Sequence, residues 1–193
     1  MFVSLQFKLE LRKEDKEKLI QLMRKQSSAI GTAYNMLREL EKEKIKNSHA
    51  QIYHRLRQLF PDLPTKYIDS AMDKAKQYPT DKSVVFGGKR LFEKLCKNHL
   101  TDKARERIKK QWRQLRQGTL IGIGSKHKTA QGNLLLRFME LDGKRHLRII
   151  AGNREFIPLK PILVEGVWDR VRNRLVPLFA GRASQLGIFR TAS

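Results

Sequence analysis

The chain opens on alternation. Val3, Leu5, Phe7 and Leu9 are separated by Ser4, Gln6 and Lys8, the period-two pattern of a strand with one buried face. From about Lys13 the period lengthens, and Leu19, Ile20, Met23, Ile30, Tyr34, Leu37 and Leu40 line one side of a long predicted helix, with Lys42 to Lys46 as its charged exit. Ser48 and Gln51 have capping-box spacing and open a short helix whose apolar face is Ile52, Leu56 and Leu59. Pro61 and Pro64 separate it from another helix, with Ile68, Ala71, Met72 and Ala75 at helical spacing, which Pro79 stops. Val84-Val85-Phe86 is a short apolar run closed by a turn at Gly87-Gly88, and a brief helix carrying Leu91, Phe92 and Leu95 follows. Thr101 is a good N-cap for the next helix, and Gly118 stands where a C′ glycine belongs.

After Gly118 the period returns to two. Leu120-Ile121-Gly122-Ile123 reads as a strand and Lys126 to Gly132 as a polar loop. Asn133 to Leu141 and Lys144 to Ala151 read as strands joined at Asp142-Gly143, and Gly152-Asn153 turns the chain into a fourth strand, Glu155 to Leu159. Sequential hairpins of this kind make an antiparallel sheet or small barrel. The opening strand can pair with the later ones, which would make the helices an insertion into a β domain. The last stretch departs from this pattern. Val167, Trp168, Val171 and Leu175 have helical spacing, and the run from Ala180 to Gln185 then loses periodicity, so no core is readable there.

Charge changes this picture from a fold to a partner. The 193 residues carry 41 Lys+Arg against 19 Asp+Glu, a net +22, unevenly placed. From Lys82 to Gln117 there are twelve basic residues and three acids (Glu93, Asp102 and Glu106), or +9 in 36 positions, whereas Ser48 to Asp81 is nearly neutral, at five basic against four acidic. A concentrated field of one sign opposes folding by self-repulsion and suits a polyanionic partner, nucleic acid first. The 40% hydrophobic content suffices for a core, and one cysteine, Cys96, excludes a disulfide framework or a Cys-based zinc finger. No stretch approaches the ~20 apolar residues of a membrane span. The N-terminus lacks the basic-then-apolar signature of a signal peptide. The expectation is a cytoplasmic protein, compatible with association to the nucleoid.

The helix beginning at Thr101 concentrates the charge. Ala104, Ile108, Trp112 and Leu115 recur as an apolar stripe predicted to be a buried seam. Arg105, Lys109, Arg113 and Arg116 repeat that spacing one residue later, about 100° around the helix, and Lys103, Arg107 and Lys110 cover the other flank. Such rows suit phosphate contact, for affinity rather than sequence readout; the alternative is a solvated face whose long stems cover the core. Neighbouring Lys89, Arg90 and Lys94 favour binding. On the strands, Arg137 lies opposite in face to Leu134, Leu136 and Phe138, and His146, Arg148 and Ile150 share a face. Here the reading stays open between an RNA- or DNA-tracking surface and an ordinary polar outer face.

No chemistry of bond breaking is legible. Gly122-Ile123-Gly124-Ser125 and Phe86-Gly87-Gly88-Lys89 match neither a Walker A sequence nor a dinucleotide loop and read as turns. His49, His54, His99, His127 and His146 are scattered without ligand spacing, so neither a metal nor any other cofactor is expected. Two-metal phosphodiester cleavage needs carboxylates converging from strands, and the β half offers only Glu140, Asp142 and Glu155, with Asp142 committed to a turn. Catalytic residues are therefore none.

The order of these parts resembles the N-terminal half of the OrfB/TnpB proteins, encoded by insertion sequences and related to the type V CRISPR effectors. The matching elements are the Val3–Leu9 strand, Ala33-Tyr34-Asn35 followed by Leu37, the run from Val84 to Leu95 with Gly87-Gly88-Lys89-Arg90, and Asn133-Leu134-Leu135-Leu136-Arg137-Phe138. The resemblance covers roughly residues 1–163 and implies an α+β fold: a wedge-like antiparallel β-barrel (1–11 plus 118–163) with an inserted helical recognition bundle (12–117), followed by a divergent tail (164–193). It implies that Tyr34, Asn35, Lys89, Arg90 and the basic helix lie in a channel holding guide RNA and target DNA. Family members continue into a RuvC-like nuclease with three metal-binding acids and often a four-Cys insertion, and this sequence has neither.

The leading expectation is thus a non-catalytic, transposase-related module that binds structured RNA and a DNA duplex by charge and shape, with no membrane partner. Its candidate contacts are Tyr34, Asn35, Lys89, Arg90, Lys94, Arg105, Lys109, Arg113, Arg116, Arg137 and Arg148. A second hypothesis is half of a split RNA-guided endonuclease served by a RuvC-bearing partner chain. A third is a ribosomal-RNA-binding or assembly protein.

Overall fold

The structure, a computed structural model, describes residues 8–45, 49–97, 99–123, 135–141, 144–152, 155–162 and 186–190. Its class is α+β. The order along the chain is β1 (Lys8–Glu10), α1 (Lys13–Lys42), α2 (His49–Leu59), α3 (Thr65–Ala75), α4 (Lys89–Leu95), α5 (Asp102–Gln117), β2 (Thr119–Ile123), β3 (Leu136–Leu141), β4 (Lys144–Gly152), β5 (Glu155–Ile162) and β6 (Leu186–Arg190). Several expected features lie outside the described residues: the Ser48 cap, the 126–132 loop, the Asp142-Gly143 turn and the helical spacing of 167–175.

The chain divides into two compact units, Met1–Leu19 with Gly122–Gly187, and Ile20–Ile121 with Ile188–Ser193. The boundaries fall inside α1 and β2 rather than at their ends.

The first unit contains a four-stranded antiparallel sheet in the order β1-β5-β4-β3. β1 pairs with β5, Leu9 facing Pro161, so the first and last strands of this sheet enclose the whole helical segment in sequence. β5 extends three residues beyond the expected Leu159. Pro158 and Pro161 lack the N–H that a ladder needs, which hid the strand's full length from its sequence. One face is core: Leu147, Ile149, Ile157 and Leu159 are all buried. The sheet is open, and among the described residues no pairing closes it into a barrel.

The second unit is built around α1. Met23, Ala29, Ile30, Ala33 and Tyr34 of α1, Ile52 and Leu56 of α2, Leu63, and Tyr67, Ile68, Ala71, Met72 and Ala75 of α3 are buried. The small Ala29 and Ala33, one turn apart, allow close helix approach. Leu59, expected on the apolar face of α2, is exposed, because it occupies the last turn of that helix. β2 and β6 form a two-stranded sheet. β2 carries the expected strand Leu120–Ile123, so Gly122 and Ile123, also read as the start of a turn, belong to the strand. β6, in the stretch where no core was readable, is strand as well. Among the described residues no helix is long and apolar enough to cross a membrane.

Candidate nucleic-acid interface

The loop leading to α4 is fastened to α1 by backbone capture. Tyr34 is 1% exposed, and its hydroxyl lies 2.9 Å from the Pro79 carbonyl and 2.7 Å from that of Lys82. One turn on, the Arg38 guanidinium donates to the Thr80 carbonyl at 3.3 Å. The Tyr34 ring also closes an edge-to-face cluster with Tyr78 and Phe86, the three centroids 5.2–6.0 Å apart. Burial holds the Tyr78 phenol above its usual ionisation range. Tyr34 therefore anchors the loop, and its ring is not exposed for stacking on a base. Asn35, the next residue of α1, is exposed.

Past Phe86 the chain turns through Gly87 (φ +88°) and Gly88 (φ +94°), a region that side-chained residues rarely adopt. Space enforces the same choice at Gly87. A Cβ there would stand 2.8 Å from Nε1 of Trp112 and 2.9 Å from the Trp112 backbone oxygen, so this turn is pressed flat against α5. It delivers Lys89 and Arg90 as the first residues of α4. Phe92 of α4 meets Trp112 of α5 with ring centroids 6.4 Å apart. The two cationic helices are thereby packed together.

α5 starts on the expected cap, the Thr101 hydroxyl accepting from the Ala104 N–H at 3.4 Å. Its other end is held from α1: the Ser27 hydroxyl donates to the Arg116 carbonyl at 2.6 Å, satisfying one of the acceptors a helix end leaves open. The fully buried Gln26 does the same for the strand that follows. Its amide nitrogen donates to the Ile121 carbonyl at 2.6 Å, and its oxygen accepts the Ile121 N–H at 2.7 Å, imitating a neighbouring strand. Gly118, the C-cap, has φ −85° rather than a left-handed conformation, because the chain runs directly from α5 into β2.

The seam of α5 is shallower than its sequence predicts. No α5 residue is buried, and Leu115 is 64% exposed, because the cover consists of a seven-residue helix and a glycine turn. What α5 presents is charge: Lys103, Arg105, Arg107, Lys109, Lys110, Arg113 and Arg116, seven cations, against Asp102 and Glu106. The acids neutralise little. Lys109 meets Glu106 at 3.0 Å and Lys89 meets Glu93 at 3.8 Å, both exposed pairs. Arg105 reaches the Lys97 carbonyl at 3.4 Å, tying α5 to the exit of α4. The Arg116 guanidinium lies 5.0 Å from the Trp112 ring centroid. Among the described residues Arg90, Lys94 and Arg113 form no ion pair and are exposed.

Lys89, Arg90, Lys94, Arg105, Lys109, Arg113 and Arg116 thus share the second unit. Arg137 and Arg148 belong to the first, where they are direct cross-strand partners on β3 and β4. Among the described residues no group of three His, Cys, Asp or Glu is arranged to hold a metal ion.

Residues 2–164 match the family described as the SSO2105 N-terminal domain. The chain belongs to that family. Nothing among curated proteins and nothing among solved structures matches the chain. The match spans both units, taking in the sheet from β1 to β5 and, among the described residues, helices α1 to α5. Sequence reasoning placed the cations but missed what aims them: Gln26, Ser27 and Arg38. Their only sequence signal was polarity within an otherwise helical stretch.

Proposed function

We propose that this chain is a non-catalytic module that binds structured nucleic acid, RNA first, through the cations of α4 and α5. The observation that carries this reading is α5 itself. It is a sixteen-residue helix with seven cations and two acids and no buried residue, yet it is capped at its start, tied to α1 at its end and packed along one side against the Gly87 turn. A helix that contributes so little to the core and is held so firmly suits positioning charge against a phosphate backbone. The finer architecture we ascribe to it is an open, wedge-like antiparallel β module with inserted recognition helices, in the order seen in the OrfB/TnpB proteins. Supporting it is the antiparallel pairing of β1 with β5 across the helical segment. A guide-type RNA and a DNA duplex are then the expected ligands.

Titration of a labelled RNA hairpin by fluorescence anisotropy over a series of salt concentrations tests this. Affinity should fall steeply with salt. Replacing Lys109, Arg113 and Arg116 together by Gln should reduce the slope by about one unit per lost phosphate contact. Thermal stability should change by no more than about 0.5 kcal/mol per site, since the side chains lie on the surface. Binding that ignores salt, or no binding to any polyanion, would overturn the reading.

A further inference from the structure

The sheet of the first unit has an outer face that its core does not explain. Leu147, Ile149, Ile157 and Leu159 point to the buried side. The alternate positions of β4 and β5, His146, Arg148, Ile150, Phe156 and Pro158, make the other face, with Ile150 opposite Phe156 and Arg148 opposite Pro158. Phe156 is 43% exposed there. The Arg148 guanidinium carbon lies 4.1 Å from the Phe156 ring centroid, a stacked diagonal pair. Arg137 of β3 stands directly opposite Arg148. Like charges at facing positions destabilise a sheet. Lys144 of β4, Lys160 of β5 and Lys8 of β1 fall at register positions of the same face, and Glu10, opposite Lys160, is its only acid among the described strands.

We propose that this face is a stacking site for an unpaired stretch of RNA, with a base laid on the Arg148–Phe156 pair and the flanking phosphates drawn to the facing arginines. The inference rests on the nucleic-acid reading above and adds to it a second surface of different chemistry. A planar guanidinium on an aromatic ring offers a flat, cationic platform, and bases stack on both kinds of plane. Paired bases in a duplex are already stacked and shield their faces. The platform therefore selects single strands, whereas the rows of α5 serve any backbone.

Two substitutions in the intact chain that leave its charge unchanged test this: Phe156→Ala, which removes the ring, and Arg148→Lys, which keeps the charge and removes the plane. Affinity for a labelled oligouridine should fall roughly tenfold in each, while affinity for a blunt RNA duplex should move less than about twofold. The salt slope should stay that of the parent, and Phe156→Trp should retain single-strand affinity. Unchanged oligouridine binding by Phe156→Ala, or equal losses on both probes, would overturn the stacking site while leaving the charge reading of α5 intact. Absence of salt-dependent RNA binding by the parent chain would remove both.

Discussion

Two helices of the second unit, α3 and α5, show two different uses of sequence. α3 has eleven residues, of which Tyr67, Ile68, Ser70, Ala71, Met72 and Ala75 are buried, and its Lys66 and Lys74 balance Asp69 and Asp73. α5 has sixteen residues, none buried, and five more cations than acids (seven minus two). Both are amphipathic by spacing, so periodicity alone does not separate them. What separates them is the partner each finds: α3 packs into the α1–α2 core, whereas α5 is covered by a short helix and a turn. A helix whose residues contribute to the core is constrained in composition. One that is merely fastened to the fold can carry a charge density that a core helix could not.

The sharpest way to break this comparison is through the core side. Ile68→Ala, at a fully buried position of α3, should cost about 2–5 kcal/mol in chemical denaturation. A loss comparable to that at exposed α5 sites would show that the two helices do not differ as argued. Next in size is the fastening. Gly87→Ala introduces both an unfavourable φ and a methyl within 3 Å of the Trp112 side chain and backbone. It should destabilise by about 1–3 kcal/mol and loosen α4 from α5, seen as faster amide exchange across residues 87–95. Protection equal to that of the parent would argue that the turn does not hold the cationic helices together.

The smallest effect contrasts two tyrosines. Tyr34→Phe removes the hydroxyl that holds the Pro79 and Lys82 carbonyls and should cost about 1 kcal/mol. Tyr67→Phe should cost nothing or stabilise slightly, because the buried Tyr67 hydroxyl has no hydrogen-bond partner among the described residues. Burial raises the Tyr67 phenol above its ordinary value of 10.0. Its contribution to stability is therefore complete below pH 10 and declines as the pH rises further, because the unfolded chain ionises first. The Phe variant should show a shallower loss of stability above that pH. An unchanged alkaline profile would mean that Tyr67 is not as buried in solution as in the structure.

Much of the molecule was legible along the chain. The 3.6-residue spacing of Leu19, Met23, Ile30 and Tyr34, the proline punctuation, the Thr101 cap and the Gly87-Gly88 turn are local signals, and local backbone preference sets them. The cationic rows of α5 were equally plain, since a helix fixes the angular position of every residue it contains. The C-terminal part of β5 and the whole of β6 were not. Prolines in β5 and a non-periodic setting around β6 hide strands that exist only because a partner strand supplies their hydrogen bonds.

The same division holds for function. How much charge there is, and which helix carries it, follows from composition and helical period, which depend on nothing outside the segment. Long-range contacts alone make Tyr34 an anchor rather than an exposed ring, let Ser27 hold the far end of the basic helix and Gln26 the strand after it, and bring Arg148 to Phe156 across a sheet. Each of these depends on which residues, distant in sequence, become neighbours. Strand register and helix packing set that by burying apolar surface collectively, which no single segment encodes.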